Sequence, residues 1–211
     1  MCAHYTVFTE AQQAEIMEII KEAERRVKEN SSVEAHIDRD IYPRRFGPIL
    51  VPNGSAYEAR GMIWGFLREQ TAKNRERAKE GKKPLKPRVV SNTQIEHVHY
   101  PLWAEAFRDR RCLLPCYGFY ESRERRDQFY FTAPRGQLMY IAGIYTTSEL
   151  DENQSIQRYS MLTTKPNRTV GAIHDRMPLV LLPGEEKEWL EGDYRKLIDR
   201  SDVPLDDKEA A

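Results

Sequence analysis

Three cysteines in 211 residues are too few for a disulfide framework, and the odd number leaves at least one thiol unpaired. No run of about 18 apolar residues occurs, so no membrane-spanning helix is expected. The opening Met1-Cys2-Ala3-His4 has neither the basic stretch nor the apolar run of a secretory leader. Net charge is also missing. Lys and Arg total 33 against 33 Asp and Glu, so no bulk field pulls the chain onto a polyanion. There is no Gly-rich phosphate loop, which argues against nucleotide hydrolysis and nicotinamide chemistry. Cys112-x-x-x-Cys116 lacks suitable neighbours and His97-x-His99 sits in a polar stretch, so neither a metal nor a cofactor is expected. Together these absences point to a cytoplasmic chain with reduced thiols.

What is present suits one domain with its own core, since 40% of residues are apolar. Residues 10–29 have helical spacing, with Ile16, Ile20, Ala23 and Val27 as the apolar stripe. Thr9 and Gln12 have capping-box spacing at its start. Strand-like segments occur at 3–8, 48–51, 61–67, 89–90, 112–120, 159–164 and 178–182. Residues 128–132 and 138–145 read as a hairpin around Pro134-Arg135-Gly136. Helices are expected at 100–111 and 184–200. Many short strands, with no strand–helix alternation, predict an α+β fold. We place one domain over residues 1–200 and an acidic tail over 201–211.

Charge is unevenly spread. Residues 68–88 hold nine Lys or Arg against three Glu, while ten acidic and five basic residues lie from Glu185 onward. The basic segment reads as a loop, either a solvated face or a place to hold an anion. Lys73, Arg75, Lys82 and Lys83 are its candidate contacts.

Four residues carry candidate chemistry. Removal of Met1 would leave Cys2 with a thiol and an α-amine on adjacent carbons, with reference pKa values near ~8.5 and ~8. That pair can trap an aldehyde as an imine and then close a five-membered thiazolidine ring. Otherwise Cys2 is an accident of the second codon. Glu121 ends the apolar run Tyr117-Gly118-Phe119-Tyr120, so it is either a buried proton carrier or a strand-end carboxylate in water. His174 is either a proton shuttle or a structural histidine. Asn92 either holds a ligand or caps a turn.

Three segments together resemble the SRAP family, which senses abasic sites in DNA by covalent attachment. They are Met1-Cys2 before a strand, Arg110-Arg111-Cys112-Leu113-Leu114-Pro115-Cys116-Tyr117-Gly118-Phe119-Tyr120-Glu121, and Ile173-His174-Asp175-Arg176-Met177-Pro178-Leu179-Val180-Leu181. Weaker matches are Trp64-Gly65-Phe66, Asn92-x-x-x-Glu96 and Leu162-Thr163-Thr164-x-x-Asn167. The set covers roughly residues 1 to 190. The resemblance implies a single α+β domain whose curved, mostly antiparallel sheet forms an open barrel with flanking helices. It implies binding of single-stranded DNA, including strand–duplex junctions, by a monomer associated with the nucleoid when bound.

Residue by residue, the resemblance implies Cys2 as nucleophile, Asn92 as holder of the opened sugar, Glu121 in proton transfer at the amine and sugar, and His174 as proton donor to the ring oxygen. It implies Trp64 as a base-stacking or cleft-lining aromatic and Thr163 as a residue near the DNA backbone. Two departures stand out. His4 and Gln94 occupy positions where the family carries Arg, so two phosphate contacts change character, and the basic segment is expected to supply charge instead. The implied product is a Cys2–DNA crosslink, with lyase or self-reversal activity possible from the same imine. Two other readings stay open: a peptidase or amidohydrolase using Cys2 as an N-terminal nucleophile, and a non-catalytic protein that binds single-stranded DNA.

Overall fold

The computed structural model describes residues 2–8, 13–123, 127–151 and 154–210. The first elements are β1 (Tyr5–Thr6), α1 (Gln13–Asn30), β2 (Asp40–Ile41), β3 (Phe46–Asn53), β4 (Ala56–Trp64), β5 (Phe66–Arg68), α2 (Thr71–Lys79), β6 (Arg88–Val90) and β7 (Asn92–Gln94). Next come α3 (Ala104–Asp109), β8 (Arg111–Cys116), β9 (Gly118–Arg123), β10 (Asp127–Thr132), β11 (Met139–Asp151) and β12 (Gln154–Thr164). The chain finishes with α4 (Arg168–Gly171), β13 (Met177–Pro178), β14 (Val180–Leu181), α5 (Glu186–Glu191) and β15 (Asp206–Glu209).

The α+β expectation holds. Strands β12, β4, β3, β8 and β11 lie side by side in that order, and β11 pairs back onto β12. That last pairing, with Gly143 opposite Met161 and Tyr145 opposite Tyr159, closes the barrel that the resemblance implied would be open. Each of these strands thus has a neighbour on both sides, although β4 pairs with β12 only at Ile63 and Trp64. The β4–β12 contact is parallel, and the other barrel pairs are antiparallel. β3 meets β8 only at Leu50 opposite Leu113. Pro48 and Pro52, which have no N–H to donate, lie two residues to either side. A second sheet runs β15, β10, β9, β1, β2.

The core fills the barrel and the space between the sheets. Trp64, Tyr159, Leu113, Leu114 and Ile141 are fully buried, and Tyr5 reaches in from β1 to share a 2.7 Å hydroxyl contact with Tyr159. Residues 159–164 of β12 are buried without alternation because both faces of that strand are covered. The α1 stripe is as expected, with Ile16, Ile20, Ala23 and Val27 buried and Glu18, Lys21 and Arg25 exposed. The Thr9–Gln12 capping box lies outside the described residues. Among the described residues no helix is long and apolar enough to cross a membrane.

Several boundaries differ from the sequence expectation. Residues 128–132 and 138–145 do not form a hairpin. β10 pairs with β9 and β15, whereas β11 belongs to the barrel. The 3-10 turn Pro134–Gly136, with Arg135 at φ 62°, carries the chain from one sheet to the other. The expected helix 184–200 is cut at Gly192 into α5 and a short 3-10 turn, Tyr194–Leu197. The basic segment is not wholly a loop, because α2 forms before Gly81, Pro84 and Pro87 stop it. It forms an arm rooted on the β5–β6 pair. Gly65, at φ 123°, turns the chain out of β4 into that arm. The acidic end, read as a tail, adds β15 to the edge of the second sheet.

Candidate active site

β1 runs antiparallel to β9, with Tyr5 opposite Phe119. The Tyr120 N–H donates to the His4 carbonyl at 2.9 Å, extending that register toward the N-terminus. Cys2 is thereby laid beside Glu121, whose charged form its backbone N–H favours. Asn92 opens β7, which β12 holds in parallel register through Met161. Its Nδ2 donates to the Cys2 carbonyl at 2.6 Å. The Asn92 Oδ1 is buried and accepts no hydrogen bond among the described residues.

His174 arrives from α4. Asn167 caps that helix by accepting from the Val170 N–H at 2.8 Å, and the His174 N–H donates to the Val170 carbonyl at 2.8 Å. The imidazole Nε2 then lies 4.0 Å from Glu121 Oε2. Its Nδ1 accepts from the Arg176 N–H at 3.0 Å, which assigns the neutral ring a proton on Nε2, the nitrogen nearer Glu121. Asp175 Oδ1 also lies 3.0 Å from Nδ1 and can accept from it when the ring is charged.

Burial sets the electrostatics. Glu121 has a side chain only 3% exposed, and its carboxyl is pushed up to about 7 by desolvation. Burial lowers His174 from its ordinary value. The Cys2 thiol is pushed up by burial and then by the neighbouring Glu121 charge, and its Sγ donates to the His4 carbonyl at 3.3 Å. The four candidates thus converge from four separate parts of the chain. A cleft of about 830 Å³ opens beside them, lined by Ala3, His4, Tyr42, Tyr120, Glu121 and His174 among others. Cys112 and Cys116, both on β8, are fully buried thiols.

The remaining candidates fare differently. Trp64 cannot stack on a base: it is fully buried, with Nε1 donating to the Ser91 carbonyl at 2.9 Å and its ring packed against Tyr5 and Tyr159. Thr163 is also fully buried, with its Oγ1 3.5 Å from the Thr93 carbonyl, so it does not reach a DNA backbone. His4 is not an open cation. Its ring lies between Tyr42 and Tyr120, its Nε2 is 3.3 Å from Asp40 Oδ1, and burial lowers its pKa despite that carboxylate. Gln94 is half-buried at the end of β7. Lys73, Arg75, Lys82 and Lys83 are exposed on the arm, Lys82 within 2.8 Å of Glu80.

One site residue had been given no role. Arg176 holds Glu96 through two 2.9 Å bonds and donates to the Thr163 carbonyl at 2.7 Å. Its Nε is buried and has no hydrogen-bond partner among the described residues. Each half of the pair sat inside a recognised motif, Asn92-x-x-x-Glu96 and His174-Asp175-Arg176. The missing signal was that the two segments meet across β12.

The family model for the SOS response associated peptidase (SRAP) matches residues 1–208, and the chain belongs to that family. It is 26% identical over 198 residues to the abasic site processing protein YoqW of Bacillus subtilis, covering 90% of this chain and 80% of that one. It is 26% identical over 160 residues to the abasic site processing protein YMR114C of Saccharomyces cerevisiae, covering 73% of this chain and 40% of that one. A crystal structure of a protein from Bordetella bronchiseptica shares the fold, with a TM-score of 0.69 at 22% identity and full coverage of both chains.

Proposed function

We propose that this protein processes abasic sites in single-stranded DNA by forming a covalent crosslink through Cys2. The observation that carries the reading is the meeting of four residues from four parts of the chain, Cys2 beside Glu121 and Asn92, and His174 4.0 Å from that same carboxylate. The Cys2 N–H favours the charged Glu121 beside it, and the Cys2 carbonyl accepts from Asn92 at 2.6 Å. Loss of Met1 turns that nitrogen into a primary amine already beside its base.

The chemistry then balances as follows. The abasic sugar opens from hemiacetal to aldehyde, with the His174 Nε2–H placed to give the ring oxygen a proton and Glu121 placed to take one from the hydroxyl. The amine attacks C1′. Both protons of the amine leave nitrogen, one on forming the carbinolamine and one on its dehydration, the carbonyl oxygen departs with them as water, and a C=N bond forms. The thiol adds to the same carbon while its proton passes to nitrogen, leaving a thiazolidine. Burial raises the Glu121 carboxyl from its ordinary range toward neutral pH, the direction a group that both gives and takes protons requires. A buried, protonated thiol fits a second step in which sulfur adds to an imine already formed. The family's description as a peptidase and the relatives' names as abasic site processing proteins lead to different substrates. The paired amine and carboxylate favour the aldehyde.

Incubation with an oligonucleotide bearing one abasic site tests this. The expected product survives denaturing electrophoresis and has the mass of Met1-free protein plus DNA less one water. Cys2→Ser abolishes that band and keeps native-gel binding. Cys112→Ser and Cys116→Ser keep both, since neither residue carries an α-amine. An adduct retained by Cys2→Ser, or active protein that keeps Met1, overturns the mechanism. Release of product from a peptide amide with no DNA adduct favours the peptidase reading instead.

A further inference from the structure

Four rings from different parts of the chain stack at the mouth of the cleft. Tyr42, just after β2, lies on His4 with centroids 4.3 Å apart and planes 21° apart. His4 lies on Tyr120 of β9 at 3.9 Å and 6°. Tyr120 in turn meets Tyr130 of β10 at 4.6 Å and 42°. Burial grades along the stack: Tyr130 is 9% exposed and Tyr42 is 48% exposed. His4 covers one face of Tyr42, so its other face and edge make up the exposed surface. The stack is braced by Asp40, which lies 3.3 Å from His4 Nε2 and accepts from Thr6 Oγ1 at 2.7 Å.

Such a surface selects its occupant. A carboxylate under the imidazole, and a ring that burial keeps neutral, disfavour a phosphate there. An ordered aromatic face favours a flat, uncharged ring, and its order before binding limits the entropy lost on contact. Tyr42 lines the same cleft as Glu121 and His174. An abasic nucleotide has no base of its own, so the ring available for stacking beside it belongs to a neighbour. We propose that Tyr42, backed by His4 and Tyr120, is the platform on which a base flanking the abasic site stacks. The inference rests on the DNA reading above and assigns the stacking role that buried Trp64 cannot fill.

The test is a cycle between protein ring and DNA base. Binding is measured to a single-stranded oligonucleotide carrying an unreactive tetrahydrofuran abasic analogue, with each flanking base either present or removed. Tyr42→Ala should weaken binding ~5-fold to ~150-fold, the range for one stacked base. Tyr42→Phe should bind like wild type. Removing the stacked base should weaken wild type by a similar factor and weaken Tyr42→Ala little further. Unchanged affinity in Tyr42→Ala, or losses that multiply independently for both flanks, overturns the platform. A wild type that crosslinks abasic DNA while Tyr42→Ala binds equally well sinks the platform alone. A wild type that neither binds nor crosslinks removes the underlying reading and the platform with it.

Discussion

Glu121→Gln should stabilise the fold at neutral and alkaline pH and leave it nearly unchanged in acid. The carboxyl is 3% exposed and moves from its ordinary 4.5 to about 7 on burial. Its native form therefore binds more protons than the unfolded chain across that window. Stability from this group is complete below 4.5, declines as pH rises, and is fully lost above about 7. At 1.36 kcal/mol per pH unit the cost reaches about 3 kcal/mol. Glutamine mimics the protonated acid and does not titrate. Its advantage over Glu should grow from near zero at pH 4.5 to about 3 kcal/mol at pH 8. The measurement is urea unfolding of both proteins across that range, made with Met1 retained by inhibiting its aminopeptidase. At a slope of about 3 kcal/mol/M the midpoints should separate by about 1 M at the alkaline end. The N-terminal ammonium already pulls the Glu121 carboxyl down; loss of Met1 moves that charge onto Cys2 itself, and the advantage should then shrink. Crosslinking should move the opposite way, with Gln slowing it ~10²-fold or more through loss of the proton carrier. A stability difference that stays constant from pH 4.5 to 8 would refute the buried-carboxyl argument.

Two further predictions concern the arm and the second sheet. Neutralising Lys73, Arg75, Lys82 and Lys83 together should weaken binding to single-stranded DNA at low salt, each true phosphate contact contributing about −0.7 to the slope of log affinity against log salt. An identical slope in wild type and variant would return these exposed side chains to solvent-facing status. Gly118→Ala should lower thermal stability, because a Cβ there would sit 2.3 Å from Tyr130 Cζ. Forcing the two apart costs ~1–3 kcal/mol, and a Tm equal to wild type would show that the ring moves freely.

The fold was legible where local pattern and tertiary demand agree. The α1 stripe follows from i, i+3 and i+4 spacing, and the same four residues face the core. Residues 128–132 and 138–145 misled because proximity in sequence suggested a hairpin. β10 pairs instead with β9, its neighbour on the other side in sequence, and with distant β15, while β11 pairs with β8, β12 and β14. Pro134-Arg135-Gly136 is good turn chemistry in either arrangement, so it could not decide between them. The basic segment was legible as charge but not as shape, since the nine residues of α2, none of them buried, carry no apolar stripe from which to infer a helix.

Within the site, residues that act through the backbone were easier to place than those expected to touch DNA. Cys2, Asn92, Glu121 and His174 sit in short motifs whose spacing survives folding, and strand register joins them: β1 to β9 and β7 to β12. Trp64 and Thr163 sit in motifs just as recognisable, yet both are fully buried. A motif records that a position is constrained but not by what, and a packed core constrains a Trp as firmly as a ligand does. His4 shows the same limit for charge. Read alone, it is a titratable stand-in for a fixed cation, whose binding effect would span roughly pH 7.5 to 6. Between Tyr42 and Tyr120, burial lowers its pKa and Asp40 answers its Nε2. Any protonation of His4 therefore falls below its ordinary 6.5, and the charge formed there faces a carboxylate before it can reach a phosphate. Positive charge offered to DNA near the cleft must come from elsewhere. Arg176 is already engaged with Glu96, whereas the arm, joined to Asn92 through β6 and β7, presents exposed Lys73, Arg75, Lys82 and Lys83.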